Sequence, residues 1–231
     1  MMSLRQLLLI PVALLLASLL PSIFPSRIPA DDNPPEKWNE DVATLQSRFA
    51  QRSKPTARVV FIGSSTIRRW DLKTAFPELD AVNHGFGGSY LSDSVHFFER
   101  LVQPAKPEII VLYAGDNDLN DGKTPETVLQ DFQAFLTKVD HSLPMCRKVF
   151  FLSIKPSIKR WKNREKILRT NQLIRALCEQ HPRADFVEFW KAGLDPSGQP
   201  RKELLDTDDL HLNDAGYQVW TQILSPLLNT E

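Results

Sequence analysis

Four stretches of this sequence carry residue types that could do chemistry. Near the C-terminus, Leu205-Asp206-Thr207-Asp208-Asp209-Leu210-His211 sets a carboxylate and an imidazole three positions apart. At that spacing Asp208 can accept a hydrogen bond from the Nδ1–H of His211 and leave Nε2 to act as a base. The same residues would also make a solvated acidic loop with a surface histidine. Far upstream, Phe61-Ile62-Gly63-Ser64-Ser65-Thr66 ends an apolar run. Gly63 permits a tight turn, and a hydroxyl just beyond it, at a helix N-terminus, stands beside backbone N–H groups and the positive end of the helix dipole. That is a place for a nucleophile, although Ser64, Ser65 and Thr66 would also serve as plain helix caps.

Two further stretches could supply hydrogen-bond donors. Asn83-His84-Gly85-Phe86-Gly87-Gly88-Ser89-Tyr90 holds three glycines that let backbone approach a ligand and present N–H groups to an anion, or that merely make a flexible turn. A dinucleotide loop would need glycine where Tyr90 stands. Tyr113-Ala114-Gly115-Asp116-Asn117-Asp118-Leu119-Asn120-Asp121 resembles a calcium loop in the alternation of Asp116, Asp118 and Asn120. It fails at the required glycine, which is Asp121, and at the terminal glutamate, which is Thr127. A better use of the segment is Asn117 projecting an amide donor, with Asp118 and Asn120 holding the loop by Asx-type hydrogen bonds.

These stations need a scaffold that brings them together. From Arg58 onward short apolar runs recur at Val59 to Ile62, Ala81 to Asn83, Ile109 to Tyr113, Val149 to Ile154 and Phe186 to Phe189, which read as five buried strands. Helical patterns lie between and after them, at Ser89 to Leu101, Pro125 to Val139, Arg164 to Glu179 and Asp214 to Leu227. The alternation predicts an α/β fold: a three-layer α/β/α sandwich on a flavodoxin-like, five-stranded parallel sheet. In such a sheet ligands bind outside the carboxyl ends of the strands, where all four stations fall.

In this chain order the four segments resemble the SGNH, or GDSL-type, hydrolases, whose blocks contribute serine, glycine, asparagine and histidine. The resemblance runs from about Arg58 to Leu227. It implies Ser65 as nucleophile, Asp208 and His211 as the remaining triad members, and the Ser65 backbone N–H, Gly88 and Asn117 as an oxyanion hole. It also implies a small-molecule ester substrate, with short acyl chains or acetyl favoured, and no cofactor or metal. Asp209 has the wrong spacing to the histidine. The family's Gly-Asp-Ser-Leu is Gly63-Ser64-Ser65-Thr66 here, with Ser64 in the aspartate's place and as an alternative nucleophile. An acyltransferase using the same groups, and a non-catalytic carbohydrate- or protein-binding module, are the competing readings.

Composition limits the partners. Among 231 residues Lys plus Arg equals Asp plus Glu at 28 each, so no overall field draws nucleic acid or an anionic surface. Lys155, Lys159, Arg160, Trp161, Lys162 and Arg164 form a local basic stretch, read as the solvated start of a helix in preference to a lid. Residues 1–30, with Arg5 before the apolar run Leu7 to Leu20, read as a removable export signal or a membrane anchor. Residues 31–57 read as a polar linker and a helix carrying Trp38, Val42, Leu45 and Phe49, and 58–231 as the hydrolase domain. That places the domain outside the cytoplasm, any membrane attachment being through the leader alone. Cys146 and Cys178 are expected as two separate buried thiols.

Overall fold

Apolar residues on successive positions of one strand must be covered on both faces, and here each face has its own core. The computed structural model describes residues 34–228, so the leader falls outside the described residues, as does the start of the linker. Strands β1 (Val59–Gly63), β2 (Ala81–Gly85), β3 (Ile109–Tyr113), β4 (Lys148–Leu152) and β5 (Ala184–Val187) form one sheet in the order β2-β1-β3-β4-β5. All four pairings are parallel. Val60, Ile62, Ile110, Leu112 and Phe151 face one core. Their alternates Val59, Phe61, Ile109, Val111 and Phe150 face the other.

Helices cover both faces, as the α/β/α reading requires. They are α1 (Asn39–Ala50), α2 (Ser65–Arg68), α3 (Leu72–Ala75), α4 (Leu91–His96), α5 (Phe98–Leu101), α6 (Asp116–Asn120), α7 (Pro125–Ser142), α8 (Arg164–Gln180) and α9 (Asp214–Leu228). Val42 of α1, Phe98 of α5, Phe132 and Phe135 of α7 and Ile174 of α8 fill the first core. Trp220 and Leu224 of α9, with Trp70, fill the second. Each fully buried side chain of this size contributes about 1.5–3 kcal/mol, so α1 is part of the fold and not an appendage. Among the described residues no helix is long and apolar enough to cross a membrane.

Several elements depart from expectation. The predicted helix from Ser89 to Leu101 is two, broken at Phe97, whose backbone leaves helical geometry at φ −92° and ψ 13°. Strand β4 stops at Leu152, because side chains take over the role of a neighbouring strand. The Asn171 carboxamide of α8 accepts from the Ile154 N–H at 2.8 Å and donates to the Ile154 carbonyl at 2.9 Å. Likewise β5 ends at Val187, short of the predicted Phe189. The Phe189 N–H donates to the Ser153 hydroxyl at 2.8 Å, which lifts the chain off the ladder.

The order of strands reverses direction between β1 and β3, and that switch point opens a crevice at their carboxyl ends. Ser65 follows β1, Gly88 follows β2 and Asn117 follows β3.

Candidate active site

The turn after β1 exists because glycine is at position 63. Its φ is +135°, and a Cβ there would lie 1.9 Å from the Tyr113 carbonyl oxygen. The Ser64 N–H donates to that same carbonyl at 3.0 Å, so the turn is pinned to the end of β3. Ser65 then opens α2. The helix, although one turn long, is held from outside: the Asn83 carboxamide donates to the Ile67 and Trp70 carbonyls at 2.7 and 3.0 Å, and the Tyr217 hydroxyl donates to the Thr66 carbonyl at 2.8 Å. Ser64, the residue at the cap position, makes no side-chain capping bond and is buried. Simple capping therefore does not account for its hydroxyl.

The Ser65 Oγ lies 2.8 Å from Nε2 of His211, 146 positions along the chain. Nδ1 of that ring lies 2.5 Å from Oδ2 of Asp208. The other carboxylate oxygen of Asp208 accepts from the backbone N–H groups of Leu210 and His211 at 3.0 and 2.9 Å. Asp209 is the turn residue in left-handed conformation, φ +58°. The Asp208 carboxylate also lies 3.9 Å from the Arg69 guanidinium, which lies 3.3 Å from Asp206.

Charge in this relay is well placed for base chemistry. Burial works against ionisation of Asp208, but hydrogen bonds from the His211 ring and from the His211 and Leu210 amides outweigh it and hold the carboxyl well below its usual range. Burial lowers the His211 pKa, assisted by the charges of Arg69 and Lys155 and opposed by Asp208. At neutral pH the imidazole is then unprotonated, the state a general base requires.

Across the crevice, Gly88 has φ +76°, a conformation that favours glycine, and the Trp38 ring lies 3.4 Å from where a Cβ would stand. The Asn117 carboxamide donates to the Ser89 carbonyl at 3.0 Å. One of its two N–H groups is thus committed to orienting the side chain, and the other can serve a ligand. The predicted local Asx role of Asp118 gives way to a long-range one. Its carboxylate accepts from the Leu91 N–H at 3.2 Å and faces Lys123 at 3.5 Å, joining α6 to the start of α4. Burial pushes its pKa up to about 7, against the opposing charge of Lys123. Asn120 donates instead to Asp121, and Asp116 faces Arg160 at 3.9 Å. The three residues of the apparent calcium loop thus turn to three different partners.

Sequence reasoning missed three contributors. Asp93 accepts from the Tyr90 N–H at 2.7 Å and from the Trp38 indole at 3.2 Å, tying the segment before α1 to the glycine turn. The Tyr90 hydroxyl donates to Asp121 at 2.8 Å. Lys155, assigned to a solvated stretch, is buried at 2% exposure, while Lys159, Lys162 and Arg164 are exposed. The signal was its place: Lys155 lies three residues past β4, on the functional edge, under the constraint of the Asn171 clamp. Cys146 and Cys178 are free buried thiols, as expected, with pKa values pushed by burial to about 11 and 12.

Known proteins share this fold. The GDSL-like lipase/acylhydrolase family profile matches residues 63–219. The platelet-activating factor acetylhydrolase IB subunit alpha1 of Bos taurus is 30% identical over 217 residues, covering 86% of this chain and 90% of that protein. A Streptococcus pneumonia protein assigned as a platelet activating factor superposes with a TM-score of 0.75 at 26% identity, covering 84% of this chain and 94% of that one. A GDSL-like lipase from Bacteroides thetaiotaomicron has the same fold, with a TM-score of 0.70 at 19% identity over 82% of this chain and 96% of that one.

Proposed function

The chain belongs to the GDSL-like lipase/acylhydrolase family and is an ester-bond hydrolase, and from that premise we propose that it cleaves short-chain or acetyl carboxylic esters through a Ser65–His211–Asp208 triad and an acyl-enzyme. His211 Nε2 takes the proton of Ser65 as Oγ attacks the ester carbonyl. The oxyanion that forms is received by the Ser65 and Gly88 backbone N–H groups and the Asn117 carboxamide. His211 passes its proton to the departing alcohol, and water, activated by the same ring, then releases the acid. Asp208 keeps the ring in the tautomer with Nδ1 protonated and stabilises the transient imidazolium.

The observation that carries this reading is the 2.8 Å contact between Ser65 Oγ and His211 Nε2, with Asp208 on the other ring nitrogen. Ser65, not Ser64, holds that contact. A small acyl group is favoured by the 30%-identical relative, named as an acetylhydrolase. We further propose that the reaction runs outside the cytoplasm, a reading supported by Arg5 and the apolar run from Leu7 to Leu20.

A fluorophosphonate label mapped by peptide mass is expected on Ser65, together with hydrolysis of p-nitrophenyl acetate that falls by about 10⁴- to 10⁶-fold in Ser65→Ala. Label on another residue, or undiminished hydrolysis by the variant, would remove Ser65 from its role.

A further inference from the structure

A lysine sealed inside a protein is costly unless its ammonium is bonded and its charge is offset. Lys155 is sealed, at 2% exposure, yet it reaches the triad loop from a different strand: its ammonium donates to the carbonyl of Leu210, the residue before His211. Burial lowers the pKa of the ammonium, and the negative charges of Asp116 and Asp208 oppose that while the positive charge of Arg160 adds to it. The backbone repeats the connection, because the Lys159 N–H donates to the Asp209 carbonyl at 3.0 Å. The segment after β4 is in turn fixed by the two hydrogen bonds between Ile154 and Asn171. The end of β4 is thereby coupled to the loop that carries Asp208 and His211.

We propose that Lys155 is a positioning residue for His211: by holding the Leu210 carbonyl from the end of β4, it sets the aim of the imidazole at Ser65. The proposal rests on the triad assignment above. Two effects follow from one group. Without the ammonium, Leu210 loses its buried partner and the ring loses its register with Ser65, a displacement of the kind that costs rate without costing binding. The charge also acts on the ring. Burial lowers the His211 pKa first, and Lys155 and Arg69 add to that while Asp208 opposes it. Removing Lys155 therefore raises the His211 pKa, and the acid limb of the rate profile moves to higher pH.

The test is Lys155→Met, which keeps the length of the side chain and deletes the charge, assayed with p-nitrophenyl acetate across pH. Rates are normalised to fluorophosphonate-titratable sites, with the exposed Lys162→Ala as a control. The expected result is a kcat lower by about 10-fold or more with KM within about twofold, and an acid limb displaced upward. Wild-type kcat, or a loss of kcat with the acid limb unmoved, would overturn the proposal, the latter reducing Lys155 to a packing role. If Lys155→Met does not fold, Lys155→Arg carries the test. With the charge retained the acid limb should stay at its wild-type position, and a displaced limb would count against the assignment. Failure of the triad reading is separately visible, because Ser65→Ala would then retain activity whatever Lys155 does.

Discussion

The two sides of the crevice are built differently. On one, Asp208 and His211 share a single short turn, and the carboxylate that orients the ring also caps that turn through two amides. On the other, Gly88 and Asn117 come from separate strand ends, and long-range ties join their neighbourhoods, Asn117 to Ser89, Asp118 to Leu91 and Tyr90 to Asp121, while Asp93 holds both the Tyr90 amide and the Trp38 indole. Their carboxyl groups respond in opposite directions. Asp208, partly exposed and richly hydrogen-bonded, is held low, while burial raises Asp93 and Asp118. The relay side is thus organised by charge and local geometry, the donor side by burial and tertiary contact. A change in the first should be read in turnover, a change in the second partly in stability.

The sharpest way to break this contrast is Asp208→Asn. An asparagine keeps the shape of the turn but can present an N–H to Nδ1 and select the wrong tautomer, so kcat is expected to fall by about 10⁴-fold. Because Asp208 raises the His211 pKa, whatever activity is left should show its acid limb at lower pH than wild type. Turnover within tenfold of wild type would mean that the carboxylate does not orient the ring.

On the donor side, Asn117→Ala is expected to lower kcat by about 10²- to 10³-fold with a much smaller change in KM, as measured by steady-state hydrolysis. A variant with wild-type turnover would end the assignment of Asn117 to the oxyanion.

The smallest and most diagnostic effect is on stability. Asp118 titrates at about 7 in the fold against an ordinary 3.8, so between these values the folded chain holds a proton that the unfolded chain has released. Its stabilising contribution is complete below about pH 4 and is lost as pH rises through 7. Calorimetric melting of Asp118→Asn should show a flatter decline over that window than wild type. An identical slope in both proteins would show that burial of this carboxyl is not what joins the two donor loops.

Legibility in the sequence followed the same division. The relay could be read because its information is local: Asp208 and His211 are three apart, and Gly63 marks the turn before Ser65. The sheet could be read because β1 and β3 are unbroken apolar runs that only a doubly covered strand accommodates. What could not be read depends on partners remote in sequence. Nothing in residues 149–154 announces that Asn171 ends β4, and nothing around Asp118 distinguishes a local Asx bond from one to Leu91. Lys155 looked solvated because a run of charge usually is, and its burial follows from a strand end that only the fold defines.

Trp38 has a practical consequence for anyone dividing this protein. It sits 25 positions ahead of the block shared with the family, yet its indole touches the environment of Gly88 and shares Asp93 with the turn that follows. A fragment trimmed to the shared block would keep Ser65, Asp208 and His211 intact while stripping α1 from the core and one wall from the donor side. The borders of the matched family profile and the borders of the working unit do not coincide, and an expression boundary should be drawn ahead of Pro35.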